Sequence, residues 1–372
     1  MRFAVLLLTG ILAVPVLSAQ RAVPTGGEWL IEPGEHSGRV QLNIRYGEGR
    51  RSSSNWGRDV SLSELVGLSR ADMGGSGATV QFKIVRAAGT LDCEGWFRSG
   101  KGSGHFTYQP NPDFVAGLAK RGINAPTAWE QFQMTMAGVG LDLVDELAQQ
   151  KYDRPTAAEL ARMGTHGVDL EYVRDIGARG YHLGDSESLV RMRDHGVDPE
   201  FVASLDSAGY KNLSAEDLVR VRDHGVNGEY IADMKARGYR FGDLESVVRM
   251  RDHGVDSEFI ESLNGAGYKD LSAESLVRLR DHGVDGDYIA DMKELGYSPA
   301  NPEELVMSRD HGVDPSYIVS LREAGYEKLS LSELRRARDH GVTRGFIQRV
   351  KARGYGNPSL DEVIRLRDRG LE

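Results

Sequence analysis

Arg193-Asp194-His195-Gly196-Val197 is the stretch whose reading decides the fold, because it returns at a fixed step. The same five residues begin again at Arg222, Arg251, Arg280, Arg309 and Arg338, each 29 residues after the last. A degenerate copy, Gly164-Thr165-His166-Gly167-Val168, precedes the series, and another, Arg367-Asp368-Arg369-Gly370-Leu371, closes it. A constant period of this size marks stacked repeats, in which each unit buries its apolar face only against its neighbours.

Within the repeat 198–226, Asp198 is a helix N-cap and Pro199 follows at the first helical position. Phe201, Val202, Leu205 and Ala208 then mark one face of a short helix that stops at Gly209. Ser214 caps a second helix with Leu218 and Val221 inward, and Gly225 ends it. Each glycine precedes a residue, Tyr210 or Val226, placed to pack back on Leu205 or Val221, which is the Schellman pattern. The cap position of the second helix holds Thr127, Thr156, Asp185, Ser214, Asp243, Ser272, Asn301, Ser330 and Ser359, all capping residues. Lys151 replaces a terminating glycine, and Ser308 replaces an apolar contact. A period of 58 overlies the 29, since Lys211-Asn212-Leu213-Ser214 resembles Lys269-Asp270-Leu271-Ser272. The expected class is mainly α: a right-stacked α-solenoid of nine 29-residue helix-turn-helix repeats over 111–372, preceded by a small antiparallel β module.

That module spans 28–110. Val40, Leu42 and Ile44 alternate with polar residues, as do Val80, Phe82 and Ile84, then Leu91, Cys93 and Phe97, then Phe106 and Tyr108. Ser61 with Glu64 three residues on predicts one short helix. Gly100-Lys101-Gly102-Ser103-Gly104 lacks phosphate-loop spacing and reads as a hairpin turn. So small a module is marginal alone and is expected to pack against the repeat domain.

Residues 1–19 read as an export signal: Met1-Arg2, an apolar run, and a small-residue exit at Ser18-Ala19. An uncleaved anchor stays open as the alternative, and 20–27 reads as a flexible lead-in. No later stretch is apolar enough to span a membrane. The expected location is exported, periplasmic or secreted. A net charge of −9 argues against nucleic-acid binding, because no basic stripe is present to displace counterions. The single cysteine, Cys93, rules out an internal disulfide and reads as a core residue.

The repeat motif itself (Arg193, Asp194, His195 and Gly196; Arg222, Asp223, His224 and Gly225; Arg251, Asp252, His253 and Gly254; Arg280, Asp281, His282 and Gly283) is expected to be structural. A histidine at a helix C-terminus suits the dipole and reaches the last carbonyls. Successive copies, about 10 Å apart, are too distant to share a zinc ion. Each aspartate opposes the dipole and needs compensation from Arg222-type neighbours, from an arginine of the adjacent repeat, or from the amides opening the next helix. The tyrosines that follow the first helices pack, with hydroxyls at the rim. No HExxH, GxSxG or cysteine–histidine set is present, so no enzyme, metal or cofactor is expected.

Gly209 to Leu218 with His224-Gly225-Val226 resembles the helical repeats that follow the membrane peptidase domain in some bacterial BlaR1-type (M56) sensor proteins. The resemblance covers 111–371 and stops short of the peptidase, so it carries over no catalytic residue. It implies a bacterial, envelope-facing interaction array. The expected function is a non-enzymatic exported scaffold that binds protein or peptide partners along the solenoid. Asp206, Lys235, Asn264, Lys293 and Arg322, which vary between similar repeats, are the candidate partner-binding positions. A small-molecule partner is not expected. The alternative is a ligand sensor, or a small-molecule or glycan binder, centred on the β module, with the exposed members of Trp29, Trp56, Trp96, Phe97 and Phe106 as contacts.

Overall fold

The computed structural model describes residues 23–34, 36, 38–47, 54–239, 241 and 243–371; the expected signal 1–19 and the start of the lead-in lie outside the described residues. These residues form 19 helices, giving a chain about 51% helical, and one curled antiparallel sheet near the N-terminus. Contacts group the chain into two compact units, one ending at Asp194 and one beginning at His195.

The sheet belongs to the first compact unit. Its strands are β1 (Gly26–Pro33), β2 (Arg39–Tyr46), β3 (Ser54–Ser61), β4 (Leu65–Val66), β5 (Ser76–Val85), β6 (Gly89–Arg98) and β7 (Lys101–Pro110). They lie in the order β3-β2-β1-β7-β6-β5-β4, so β1 pairs with both β2 and the distant β7. The period of two puts Trp29, Ile31, Val40, Leu42, Ile44, Val80, Phe82, Ile84, Leu91, Cys93, Phe97 and Phe106 on one buried face. Burial pushes the Cys93 thiol up to about 12, consistent with an inert core residue.

The first repeat closes that core. Its second helix, Ala128–Ala137, sets Phe132 and Met136 among the sheet side chains. The Phe132 ring meets Tyr46 and Tyr108 edge-on at 4.9 and 5.0 Å. Burying two such side chains stabilises by about 1.5–3 kcal/mol each. Gln131, also buried, donates to the carbonyls of Ala88 and Asn111, both at 2.9 Å. Trp129 stacks beside Phe132 at 5.8 Å, so this tryptophan of the repeats sits in the surroundings of the sheet.

Several details differ from the sequence expectation. β1 begins inside the expected lead-in, with Gly26 and Gly27 opposite Thr107 and Phe106. Ser61 and Glu64 do form a capping box, over a single 3₁₀ turn, and a further short helix, Arg70–Met73, comes after it. The 100–104 run is mostly strand. The turn is Ser99-Gly100, both left-handed at φ 53° and 83°, which matches the strand twist. Gly102 and Gly104 lie within β7 because size is the constraint there. A Cβ on Gly102 would stand 2.5 Å from the Phe97 ring, and one on Gly95, which faces Gly104, would stand 2.4 Å from the Trp29 indole.

In each compact unit, helices contact the like helix one repeat along. Ala128–Ala137 packs on Ala157–Thr165 in the first, and Ser257–Ala266 on Gly286–Glu294 in the second. Both ends of the repeat 198–226 close as Schellman motifs. The Tyr210 amide donates to Leu205 O (3.0 Å) over Gly209 at φ 94°, and the Val226 amide to Val221 O (2.9 Å) over Gly225 at φ 68°. The period of 58 has a backbone counterpart, since Asn212 and Asp270 are both left-handed, at φ 56° and 55°. Ser308 is buried at an apolar position and satisfied there: its Oγ donates to Glu304 O (2.7 Å) and accepts from Arg335 (3.1 Å).

Candidate functional site

The recurring motif joins neighbouring repeats and shapes the helix ends. The histidine follows the last turn of the second helix, and its Nδ1 meets the aspartate one repeat on. His166–Asp194 is such a pair in the first compact unit, at 2.6 Å. In the second, His195–Asp223, His224–Asp252, His253–Asp281, His282–Asp310, His311–Asp339 and His340–Asp368 are bonded at 2.6 to 2.8 Å. Sequence alone pairs the histidines with the carbonyls of their own helix, and the aspartates with an arginine or the next helix's amides. The observed partner is the neighbouring repeat's imidazole. The signal for it in the sequence is a constant offset of 28 residues, one short of the period.

The arginine faces backward. Arg251 lays its guanidinium 5.0 Å from the Tyr230 ring centroid, and its Nε donates to Gly225 O at 3.1 Å. Arg222 over Phe201, Arg280 over Phe259, Arg309 over Tyr288 and Arg338 over Tyr317 repeat the stacking at 4.7 to 4.9 Å. Tyr230, Tyr288 and Tyr317 donate from below to Val255 O, Val313 O and Val342 O at 2.8 to 3.0 Å. Burial pushes these three hydroxyls up to about 12. Three of the tyrosines after the first helices also bond to the next repeat's turn. Tyr268 donates to Pro299 O (2.6 Å), Tyr297 to Leu329 O (2.7 Å) and Tyr326 to Pro358 O (2.6 Å).

The five candidate partner-binding positions divide. Lys235 donates to Ala208 O and stands 5.7 Å from the Tyr210 ring; Arg322 donates to Leu295 O and stands 5.8 Å from the Tyr297 ring. Both cap the preceding repeat's first helix. Among the described residues, the side chains of Asp206, Asn264 and Lys293 make no hydrogen bond or ion pair. Among the described residues, too, no three His, Cys, Asp or Glu side chains gather closely enough to hold a metal ion, and no helix is long and apolar enough to cross a membrane.

The sheet carries a second arrangement on the face opposite its core. A groove of about 1020 Å³ runs across it, lined among others by Glu28, Leu30, Asn43, Arg45, Glu94, Trp96 and His105. Register explains why residues so far apart in sequence meet. Asn55 faces Arg45, Arg45 faces Glu28, Glu28 faces His105, and His105 faces Glu94, one row across five strands. The next row is Asn43, Leu30, Ser103, Trp96 and Thr79. Of the aromatics singled out from sequence, Trp29, Phe97 and Phe106 are buried and Trp56 packs partly on the core; Trp96 is 49% exposed. The floor is held from beneath by Trp29, whose Nε1 donates to Glu94 O (3.2 Å) and His105 O (3.1 Å). Compared with known protein families and with curated proteins, the chain matches none of either.

Proposed function

We propose that the chain is a non-enzymatic interaction protein of the bacterial cell envelope, with nine repeats stacked as an α-solenoid behind the β module. A protein or peptide partner lies along the exposed side of the first helices. The observation that carries this reading is a division of labour. The recurring Arg, Asp, His and Gly residues serve the joints between repeats, while Asp206, Asn264 and Lys293 stay unengaged and change chemistry from repeat to repeat. Like-on-like helix contacts within each compact unit support the stacking. The net charge of −9 favours a protein over a nucleic acid. The resemblance to the repeat tail of BlaR1-type sensors, and export, belong to the same proposal.

The test uses the full chain as bait against the native envelope, beside a triple variant, Asp206→Lys, Asn264→Lys and Lys293→Glu. A specific partner retained by the parent chain should be lost with the variant while the thermal midpoint stays put. Equal retention by both refutes the reading, and a fallen midpoint reassigns these positions to the fold. Lys235→Glu serves as contrast, since it removes a helix cap and should lower stability.

A further inference from the structure

We propose that the outer face of the sheet is a binding site for a neutral oligosaccharide, independent of any partner held by the repeats. The groove offers an apolar surface first. Trp96 is 49% exposed and Leu30 42%, on either side of Ser103, a small apolar platform among the polar residues that line the groove. The indole presents a flat ring to the C–H face of a pyranose.

Around that platform, acceptors and donors alternate from strand to strand. Glu28 and Glu94 accept, Arg45 donates, and Asn43, Asn55 and His105 bring donors as well as acceptors. Among the described residues no hydrogen bond or ion pair closes over the side chains of Glu28, Glu94 or His105, so their capacity is open to a ligand. A second hollow of about 590 Å³ shares Glu94 and His105 and continues the trough past Gln81, Lys83 and Asp92, giving an elongated rather than a round site.

The alternation selects the occupant. A sugar hydroxyl both donates and accepts, so a chain of them satisfies any order of these groups. A polymer of fixed charge would meet a like charge within one or two strand spacings of about 4.8 Å. An extended peptide docks by adding to a sheet edge, whereas this groove crosses the face of central strands. The floor is also preformed. Gly95 faces Gly104: the missing side chain at Gly95 leaves room for the Trp29 indole, which bonds to Glu94 O and His105 O, and the missing side chain at Gly104 leaves room for the Glu94 and Gly95 backbone. Fixing those two backbones before a ligand arrives removes an ordering cost from binding.

The experiment titrates the full chain with cellotetraose, N-acetylchitotetraose and mannotetraose, read by tryptophan emission and by calorimetry. At least one should bind with a Kd of about 10 µM to 1 mM, an ordinary range for a shallow groove. Trp96→Thr should weaken that binding about tenfold and abolish the emission change, with the thermal midpoint unchanged because the ring is half in solvent. Glu94→Gln should weaken it by no more than about threefold, since the amide still bonds to hydroxyls. No response to any of the three up to about 10 mM overturns the proposal, as does binding indifferent to Trp96→Thr. Selective binding of an oligolysine probe that Glu94→Gln abolishes also overturns it, by showing a cation site.

Discussion

Replacing Arg251 tests whether the arginine of the motif holds two repeats together or merely decorates a surface. Its guanidinium does two things at once, donating from Nε to Gly225 O at 3.1 Å and lying flat 5.0 Å from the Tyr230 centroid. The hydrogen bond to a helix-terminal carbonyl is worth about 1 kcal/mol. The stacked cation adds about 0.5–1 kcal/mol at a half-exposed site. Arg251→Met loses both and should cost about 1.5–2 kcal/mol at this joint. Arg251→Lys keeps a charge near the helix C-terminus but lacks the planar fork, and should cost about 1 kcal/mol. A global midpoint is a poor readout in a chain with two compact units, because unfolding need not be two-state. Hydrogen exchange resolves the joint itself through the amides of His224, Gly225 and Val226, which bond to Arg220 O, Arg222 O and Val221 O. Those amides should exchange about 10–30-fold faster in the methionine variant and about fivefold faster in the lysine variant, from 1.4 kcal/mol per decade. Amides of the β6–β7 hairpin should be unchanged. Lysine indistinguishable from arginine, or acceleration spread evenly through the chain, would refute the assignment.

Three further outcomes rest on the same structure. Lys151 is left-handed at φ 65° where most repeats have glycine, so Lys151→Gly should raise stability by up to about 1 kcal/mol, read as a later denaturation midpoint. Tyr230, Tyr288 and Tyr317 titrate at about 12 when folded against an ordinary value near 10, so the folded state holds protons that the unfolded state releases. Stability should therefore be intact below pH 10 and fall as pH rises to about 12; Tyr→Phe at all three should flatten that alkaline loss, as urea midpoints across the range would show. Gly95→Ala would drive a methyl to 2.4 Å from Trp29 and 2.3 Å from Ser103 O, and should cost about 3 kcal/mol or more, with a red-shifted tryptophan emission.

The helix ends of the repeat 198–226 are legible in the sequence because they are chemically constrained. A left-handed terminus favours glycine, as at Gly209 and Gly225, and orphan amides favour short oxygen-bearing side chains, as at Ser214 and Asp243. What joins one repeat to the next is not legible. Arg222, Asp223 and His224 are consecutive, which invites pairing among themselves, yet on a helix end consecutive side chains point apart: Arg222 stacks on Phe201 of the first helix of its own repeat, Asp223 meets His195 of the repeat before and His224 meets Asp252 of the repeat after. In the sheet, alternation identifies the buried face, but Gly102 and Gly104 look like a break because sequence does not separate a glycine needed for its φ from one needed for its size. The groove is hidden for a topological reason. Glu28 and His105 become neighbours only once β1 pairs with β7, and nothing local announces that pairing. Alternation with Cys93 and Phe97 puts Trp96 on the outer face, but it does not tell which residues of other strands stand beside it.

The histidine–aspartate offset of 28 residues has a consequence for how such a chain can change length. Excising any whole block of 29 leaves each remaining histidine the same distance from an aspartate, as His224 from Asp252 now, so the cut ends rejoin with their bonding partners intact. A block of 28 or 30 would leave the histidine at the seam out of step with its aspartate. Copy number is thus free to drift by recombination while the join between neighbours polices the reading of every splice.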